Sequence, residues 1–217
     1  MSEVTAVLVS YRRPDNVSQI VDVLRQQTVV PELLLVNNWD MAAHRVERAA
    51  FVPWNGGPMV RFLFAIYAET EWVMTLDDDL RPADAEFVED ALKLAKKRPN
   101  AITCAFGRSL GRSAPYYQPR NEFGHVPIAL GRMMMFRRDL LENVGLPPMR
   151  LPWAFRSDDI WISLETGKGQ PVHWAEVALS RRLIDMPEGG SEVALSLQEG
   201  HGEIRGEACR WWLENRQ

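Results

Sequence analysis

Apolar residues fall along this chain in two kinds of pattern. Val4–Ser10 (VTAVLVS) and Glu32–Asn38 (ELLLVNN) are near-continuous runs without polar alternation, as in strands covered on both faces. Between them, Val17, Ile20, Val21 and Leu24 recur at helical spacing, and Asp15 or Asn16 stands where a cap would start a helix running to about Gln27. Strand, helix and strand at this spacing predict a βαβ unit on a parallel sheet.

The alternation continues. EWVMTL predicts a third strand that ends at Asp77, and Pro82 is expected to open a helix through ADAEFVEDALKLAKKR that stops before Pro99. AITCAFG reads as a fourth strand. Arg108 to Gly124, rich in Arg, Pro, Tyr and Gly, reads as a long loop of the kind that carries function. VPIALGRMMMF returns to strand character, and RRDLLENVG predicts a short helix ending at Gly145. Ser157 is placed to cap a helix that ends at Gly167 or Gly169, and GEIRGEACRWWLENRQ predicts a closing amphipathic helix. WDMAAHRVERAAFVPWNGGP fits neither period cleanly: part of it is expected to be helical, NGGP is a turn, and MVRFLFAIYAET has helical spacing. The fold class expected is α/β, with one domain over residues 1–217.

Composition narrows the function classes. With 217 residues, 46% hydrophobic and 25% charged, the chain has the make-up of an ordinary globular domain with a sizeable core. A net charge of -4 gives no general attraction to nucleic acid or anionic membranes. The two cysteines, Cys104 and Cys209, have no metal-ligand spacing, and Cys104 reads as a small buried hydrophobe. No apolar segment approaches the roughly 20 residues that span a bilayer. The N-terminus lacks a signal-peptide pattern and enters its first strand almost at once, which leads to the expectation of a cytoplasmic protein in a reducing compartment with no targeting segment.

The chemistry concentrates at Asp77, Asp78 and Asp79. Three adjacent carboxylates repel one another, and an α/β sheet presents its carboxyl ends to ligands. A hard divalent cation, Mn2+ or Mg2+, would neutralise the cluster through one or two carboxylates while substrate phosphates and water complete its shell. Asp77 and Asp79, at i and i+2, are the pair able to aim at one site. A solvated acidic turn capping the next helix is the competing reading. A calcium loop fits poorly, because DDDLRPADAEFV lacks the turn glycine, and an aspartyl phosphatase nucleophile suits the preceding strands less well. A second acidic pair, Asp158–Asp159, follows at a helix start, where complementarity to the helix dipole alone would also place it.

Taken in order, VLVSYRRPDNVSQIVDVLRQQTVVPELLLVNN, WVMTLDDDLRP, GRMMMFRRDLLENVG and SDDIWIS resemble family 2 and related glycosyltransferases of the GT-A fold, over roughly Val4 to Thr166. The resemblance implies a Rossmann-like, mostly parallel central sheet flanked by helices, with a nucleotide-sugar-binding half (1–106) and an acceptor-binding half (107–217). It implies a UDP- or GDP-sugar donor whose glycosyl group passes to an acceptor hydroxyl. Ser10, Arg13, Asn37, Arg61, Asp77 and Asp78 would contact the donor. Asp77 and Asp79, with His201 late in the chain, would hold the metal. Asp159 would be the general base, supported by Asp158. Many relatives carry Asp at the position of Asn37, so the base of the nucleotide is left open.

Arg108, Arg112, Arg120, Arg132, Arg137 and Arg138, interleaved with Tyr116, Tyr117 and Phe123 and opposed only by Glu122, would face the acceptor and suit an anionic or nucleic-acid acceptor. A DNA-modifying glycosyltransferase, a nucleotidyltransferase and a non-catalytic sugar-nucleotide-binding module are the alternatives.

Overall fold

The computed structural model describes residues 2–39, 46–110, 121–187, 189–190 and 192–216. Strands β1 (Val4–Ser10), β2 (Glu32–Asn38), β3 (Arg48–Val52) and β4 (Trp72–Leu76) form the parallel half of the main sheet, with helices α1 (Pro14–Arg25) and α2 (Val60–Ala65) in the connections. A short strand β5 (Leu80–Pro82) and helix α3 (Phe87–Lys96) follow, then β6 (Thr103–Cys104), β7 (Gly107–Arg108), β8 (Gly124–Val126), β9 (Ile128–Ala129) and β10 (Met133–Arg137). Helix α4 (Asp158–Gly167), β11 (His173–Ala175), the single turn α5 (Val177–Ser180), β12 (Leu183–Asp185) and α6 (His201–Asn215) complete the described chain.

The main sheet has eight strands in the order β3-β2-β1-β4-β10-β6-β11-β8. β10 runs antiparallel to both β4 and β6, so the second half of the sheet is mixed. The centre is almost wholly apolar: Val4, Ala6, Leu35, Val36, Val73, Met74 and Met133 to Phe136 are buried, as expected for strands covered on both faces. Helix α1 presents Val17, Ile20, Val21 and Leu24 to that core, the stripe read from the sequence.

Several boundaries depart from expectation. Neither Asp15 nor Asn16 caps α1; Arg13 occupies the cap position and Pro14 the first turn, where its missing N–H costs nothing. The Asn16 amide instead donates to the carbonyls of Asp78 (3.0 Å) and Pro187 (2.9 Å). Pro82 does not open a helix. It ends β5, which pairs with β12 in a two-stranded ribbon where an absent donor is tolerated, and the helix begins only at Phe87. In the ambiguous segment, Arg48–Val52 is an edge strand rather than helix, and Asp40 to Arg45 lie outside the described residues. The fourth strand shrinks to Thr103–Cys104 because the chain leaves the main sheet there, and β7 pairs with β9 in a separate ribbon. Arg138–Leu141 forms only a 3-10 turn, not a helix reaching Gly145. Ser157 does stand at the N-cap of α4, but its hydroxyl caps nothing and is buried without a hydrogen-bond partner. Among the described residues, no helix is long and apolar enough to cross a membrane.

Candidate active site

The strand order reverses direction between β1 and β4, and a crevice opens at the carboxyl ends of the strands beside such a switch. Here a cavity of about 830 Å3 lies there, lined by Asp77, Asp78, Asp79, Asp158 and Asp159 together with Arg13, Arg61, His201 and Arg205. Residues far apart in sequence thus share one space.

The turn after β1 sets one wall. Arg12 has φ 59, a left-handed conformation uncommon for a side-chain-bearing residue. The chain thereby folds back so that the Tyr11 amide donates to Asp78 Oδ2 (2.9 Å) while the Arg13 guanidinium pairs with Asp78 and approaches Asp79 Oδ2 at 3.3 Å. Asp78 is therefore the member of the triplet that ties the acidic strand end to the β1–α1 turn. Burial pushes its carboxyl up to about 6 against the opposing pull of Arg13.

Asp77 and Asp79 meet the cavity differently. Asp77 Oδ1 accepts from Arg61 Nη1 at 2.6 Å. Asp79 has a buried Oδ1 with no hydrogen-bond partner, and burial plus the neighbouring charge of Asp77 push its carboxyl up to about 7. Arg61, on α2, is the hub. Its Nη1 also donates to the Gly131 carbonyl (2.6 Å), its Nε donates to the Pro58 carbonyl (3.1 Å), and the same Nε lies 3.2 Å from Asp158 Oδ2, off a hydrogen-bonding line. Burial works against its charge, but Asp77 and Asp158 outweigh that and hold the guanidinium protonated. One arginine thus joins both acidic clusters.

The two members of the second cluster are not equivalent. Arg205 Nη2 donates to both oxygens of Asp159 (2.8 and 2.7 Å), the Gly131 amide donates to Oδ2 (3.1 Å), and the Ile160 amide donates to Oδ1 (2.8 Å). Burial acts to raise the Asp159 carboxyl, yet Arg205 and these donors bring it below the usual aspartate value. Asp158 has no such set. Burial pushes it up to about 6 despite Arg61, and its Oδ2 accepts no hydrogen bond.

His201 begins α6, and burial followed by the charge of Arg205 lowers its pKa, which keeps the ring neutral near pH 7. Among the described residues, no three His, Cys, Asp or Glu side chains are grouped closely enough to hold a metal by themselves. The donor set still suits a hard cation shared with a diphosphate. An orphaned, buried carboxylate oxygen on Asp79 beside the charge of Asp77 is the repulsion such a cation relieves, and few protein ligands are then needed.

Of the residues singled out from the sequence, Arg13, Arg61, Asp77, Asp78, Asp79, Asp158, Asp159 and His201 line this one cavity. Ser10 and Asn37 are not among its lining residues: Ser10 is buried in β1, and Asn37 Oδ1 is buried without a hydrogen-bond partner. Strand alternation turns the next residue, Asn38, to the cavity instead, where it accepts from the Gly56 amide at 2.8 Å. Arg112, Tyr116, Tyr117 and Arg120, and His44, lie outside the described residues. Of the remaining arginines of that region, Arg108 and Arg132 line the cavity, whereas Arg137 and Arg138 do not. Arg205 and the rim from Glu192 to Gln198 were missed. Arg205 shares a helical face with the buried Ala208, Cys209 and Trp212, and a charge set into an apolar stripe is the signal that marks it.

No protein-family model matches the chain. A solved structure of the mannosyltransferase PcManGT from Pyrobaculum calidifontis, in complex with GDP-Man and Mn2+, superposes with a TM-score of 0.59 at 16% identity, over 81% of this chain and 55% of that one. The S. aureus TarS 1-349 structure in complex with UDP-GlcNAc superposes with a TM-score of 0.62 at 14% identity, over 99% of this chain and 73% of that one. The fold is that of the GT-A glycosyltransferases. Within the GT-A fold, the aspartate triplet stands at the end of the fourth strand and the second acidic pair at the start of α4. Galactofuranosyltransferase GlfT1 of Mycobacterium tuberculosis, in two strains, is 25% identical over 190 residues. That match takes in 72% of this chain, which spans 62% of the length of these curated relatives.

Proposed function

We propose that this chain is a glycosyltransferase that moves a sugar from a UDP- or GDP-sugar to an acceptor hydroxyl, with Mn2+ or Mg2+ held at Asp77 and Asp79. The observation that carries the proposal is Arg61, which brings the aspartate triplet and the Asp158–Asp159 pair to one cavity. Displacement at an anomeric carbon needs a stabilised leaving group and an acceptor that loses its proton, held in line. The first acidic cluster suits the former and the second the latter. The ligands of the two solved neighbours, a GDP-sugar with Mn2+ in one and a UDP-sugar in the other, support the donor class and the cation.

A cation bound by Asp77 and Asp79 would offset the charge that builds on the departing diphosphate, while His201, whose charged neighbours are Arg205, Asp159 and Arg156, stands with the second acidic pair. The chain's own groups do the rest. Arg13 and Asp78 clamp the β1–α1 turn against the strand end and so shape the donor pocket. Arg61 holds Asp77 and Asp158 at a fixed separation. Asp158 is assigned as the general base: it carries the raised proton affinity and an oxygen without a hydrogen bond, as a base working near neutral pH requires. The resemblance pointed to Asp159. Its oxygens are occupied by Arg205 and two amides, so Asp159 is assigned as the residue that orients the pair.

The test is a screen of UDP- and GDP-sugars with Mn2+, reading release of nucleoside diphosphate. At least one donor should be hydrolysed slowly without acceptor and faster with it. Release from none, at high protein concentration, would remove the proposal in favour of a binding module.

A further inference from the structure

Among the arginines that line the cavity, Arg108 is set apart by buried donors without a partner, and neither it nor Arg156 has an ion pair among the described residues. Arg13, Arg61 and Arg205 each pair with an aspartate of the site, and Arg132 pairs with the exposed Asp185. The unpartnered donors of Arg108 are its Nε and Nη1. Charged donors shut away from water are costly unless something accepts from them.

Its place in the fold tells which substrate would do so. β7 carries Arg108 and pairs with β9 through Arg108↔Ile128 and Gly107↔Ala129. Directly after β9 come Leu130 and Gly131, and the Gly131 amide donates to Asp159. Arg108 therefore belongs to the wall beside the second acidic pair, where the accepting hydroxyl must come, rather than to the β1–α1 turn on the donor side. Arg132 extends the basic surface. Its guanidinium lies over the ring of Phe106, two residues before Arg108 in the chain, at 4.8 Å. Its partner Asp185 is largely exposed, so the pair is cheaply given up for a stronger anion.

We infer that Arg108, with Arg132 beside it, binds a phosphate ester carried by the acceptor, so that the acceptor is a phosphorylated molecule rather than a neutral glycan. The inference rests on the transferase reading. An acceptor phosphate supplies oxygens to both orphaned donors of Arg108, and a guanidinium suits it better than an ammonium does.

Calorimetry tests this with glycerol 3-phosphate as probe and glycerol as the uncharged control, on protein first saturated with UDP or GDP and Mn2+ to fill the donor pocket. Glycerol 3-phosphate should bind and glycerol should not. Arg108→Ala should weaken phosphate binding about ten- to a hundredfold, with Arg108→Lys in between. Equal affinity in wild type and Arg108→Ala, or equal binding of glycerol, would overturn the inference. If neither UDP nor GDP binds, the donor reading fails by itself. The comparison of Arg108→Ala with wild type in the empty cavity then still decides the role of Arg108.

Discussion

Arg205 reaches from the last helix to grip both carboxylate oxygens of Asp159, at 2.8 and 2.7 Å, with both side chains buried. A buried pair of this kind adds little net stability, but removing one partner strands the other's charge. Arg205→Ala should therefore cost about 3–5 kcal/mol. The double variant Asp159→Asn/Arg205→Met should recover a large part of that loss. Urea unfolding of the two variants and the wild type is the check; a double variant no more stable than Arg205→Ala would show that the two residues are not coupled.

The pH profile separates the two candidate bases. Asp158 is pushed up to about 6, so it is protonated and idle below that pH and ionised above it. Transfer at low substrate should then fall about tenfold per pH unit below 6 and level off above it. Asp159, held below the usual aspartate value, adds no break in that range, whereas Asp78 and Asp79, also raised, contribute equally under either reading. Measuring kcat/KM from pH 4.5 to 8 in wild type and Asp158→Asn, with Mn2+ saturating, decides the matter: an Asp158→Asn variant that keeps both the wild-type rate and its profile returns the role to Asp159. The same shift has a stability consequence. The folded state holds this proton more tightly than the unfolded chain, whose carboxyl titrates near 3.8, so ionising Asp158 costs stability as pH rises from there through about 6.

Asp79→Ala removes the carboxylate whose Oδ1 is orphaned, and with it the 3.3 Å approach of Oδ2 to Arg13, but leaves the Arg13–Asp78 pair in place. Binding of UDP or GDP in the presence of Mn2+ should weaken at least tenfold, and binding in the presence of EDTA should be unchanged and weak in both proteins. Titration calorimetry reads this directly. An unaltered affinity with Mn2+ would take Asp79 out of the metal site.

Gly57 has φ 65, and a Cβ there would stand 2.3 Å from the carbonyl oxygen of Phe155. Gly57→Ala meets both the left-handed backbone penalty and a backbone collision that no side-chain rotation relieves. A loss of about 2–3 kcal/mol is expected. Since Gly57 and Phe155 both line the cavity, donor binding should weaken as well. Thermal melting with and without UDP or GDP and Mn2+ measures both effects.

The strands β1, β2 and β4 and the triplet that follows β4 were legible because each is local. The runs VTAVLVS and ELLLVNN have no polar interruption, and the triplet follows a third run directly, so a parallel sheet with acids at its edge could be read residue by residue. What could not be read depends on partners distant in sequence. Pro82 looks like a helix start until β12, which begins at Leu183, pairs with it. Asn37 and Asn38 are equivalent in composition, and only the phase of the pleat decides which one lines the cavity. Asp158 and Asp159 are adjacent and identical in type; what distinguishes them is an arginine on α6 and an amide at Gly131. Arg108 was legible only as one of many arginines, because its lack of a partner is a property of the folded wall.

The place of β10 bears on how such a protein can be re-engineered. Wedged between β4 and β6, it belongs by sequence to the later part of the chain but backs the strand that ends in the triplet. A chimera that exchanged everything after Cys104 with a relative, in order to transplant substrate preference, would also replace the neighbour on which the aspartate triplet leans. Grafts confined to the β7–β9 ribbon and the rim from Glu192 to Gln198 would leave that backing intact.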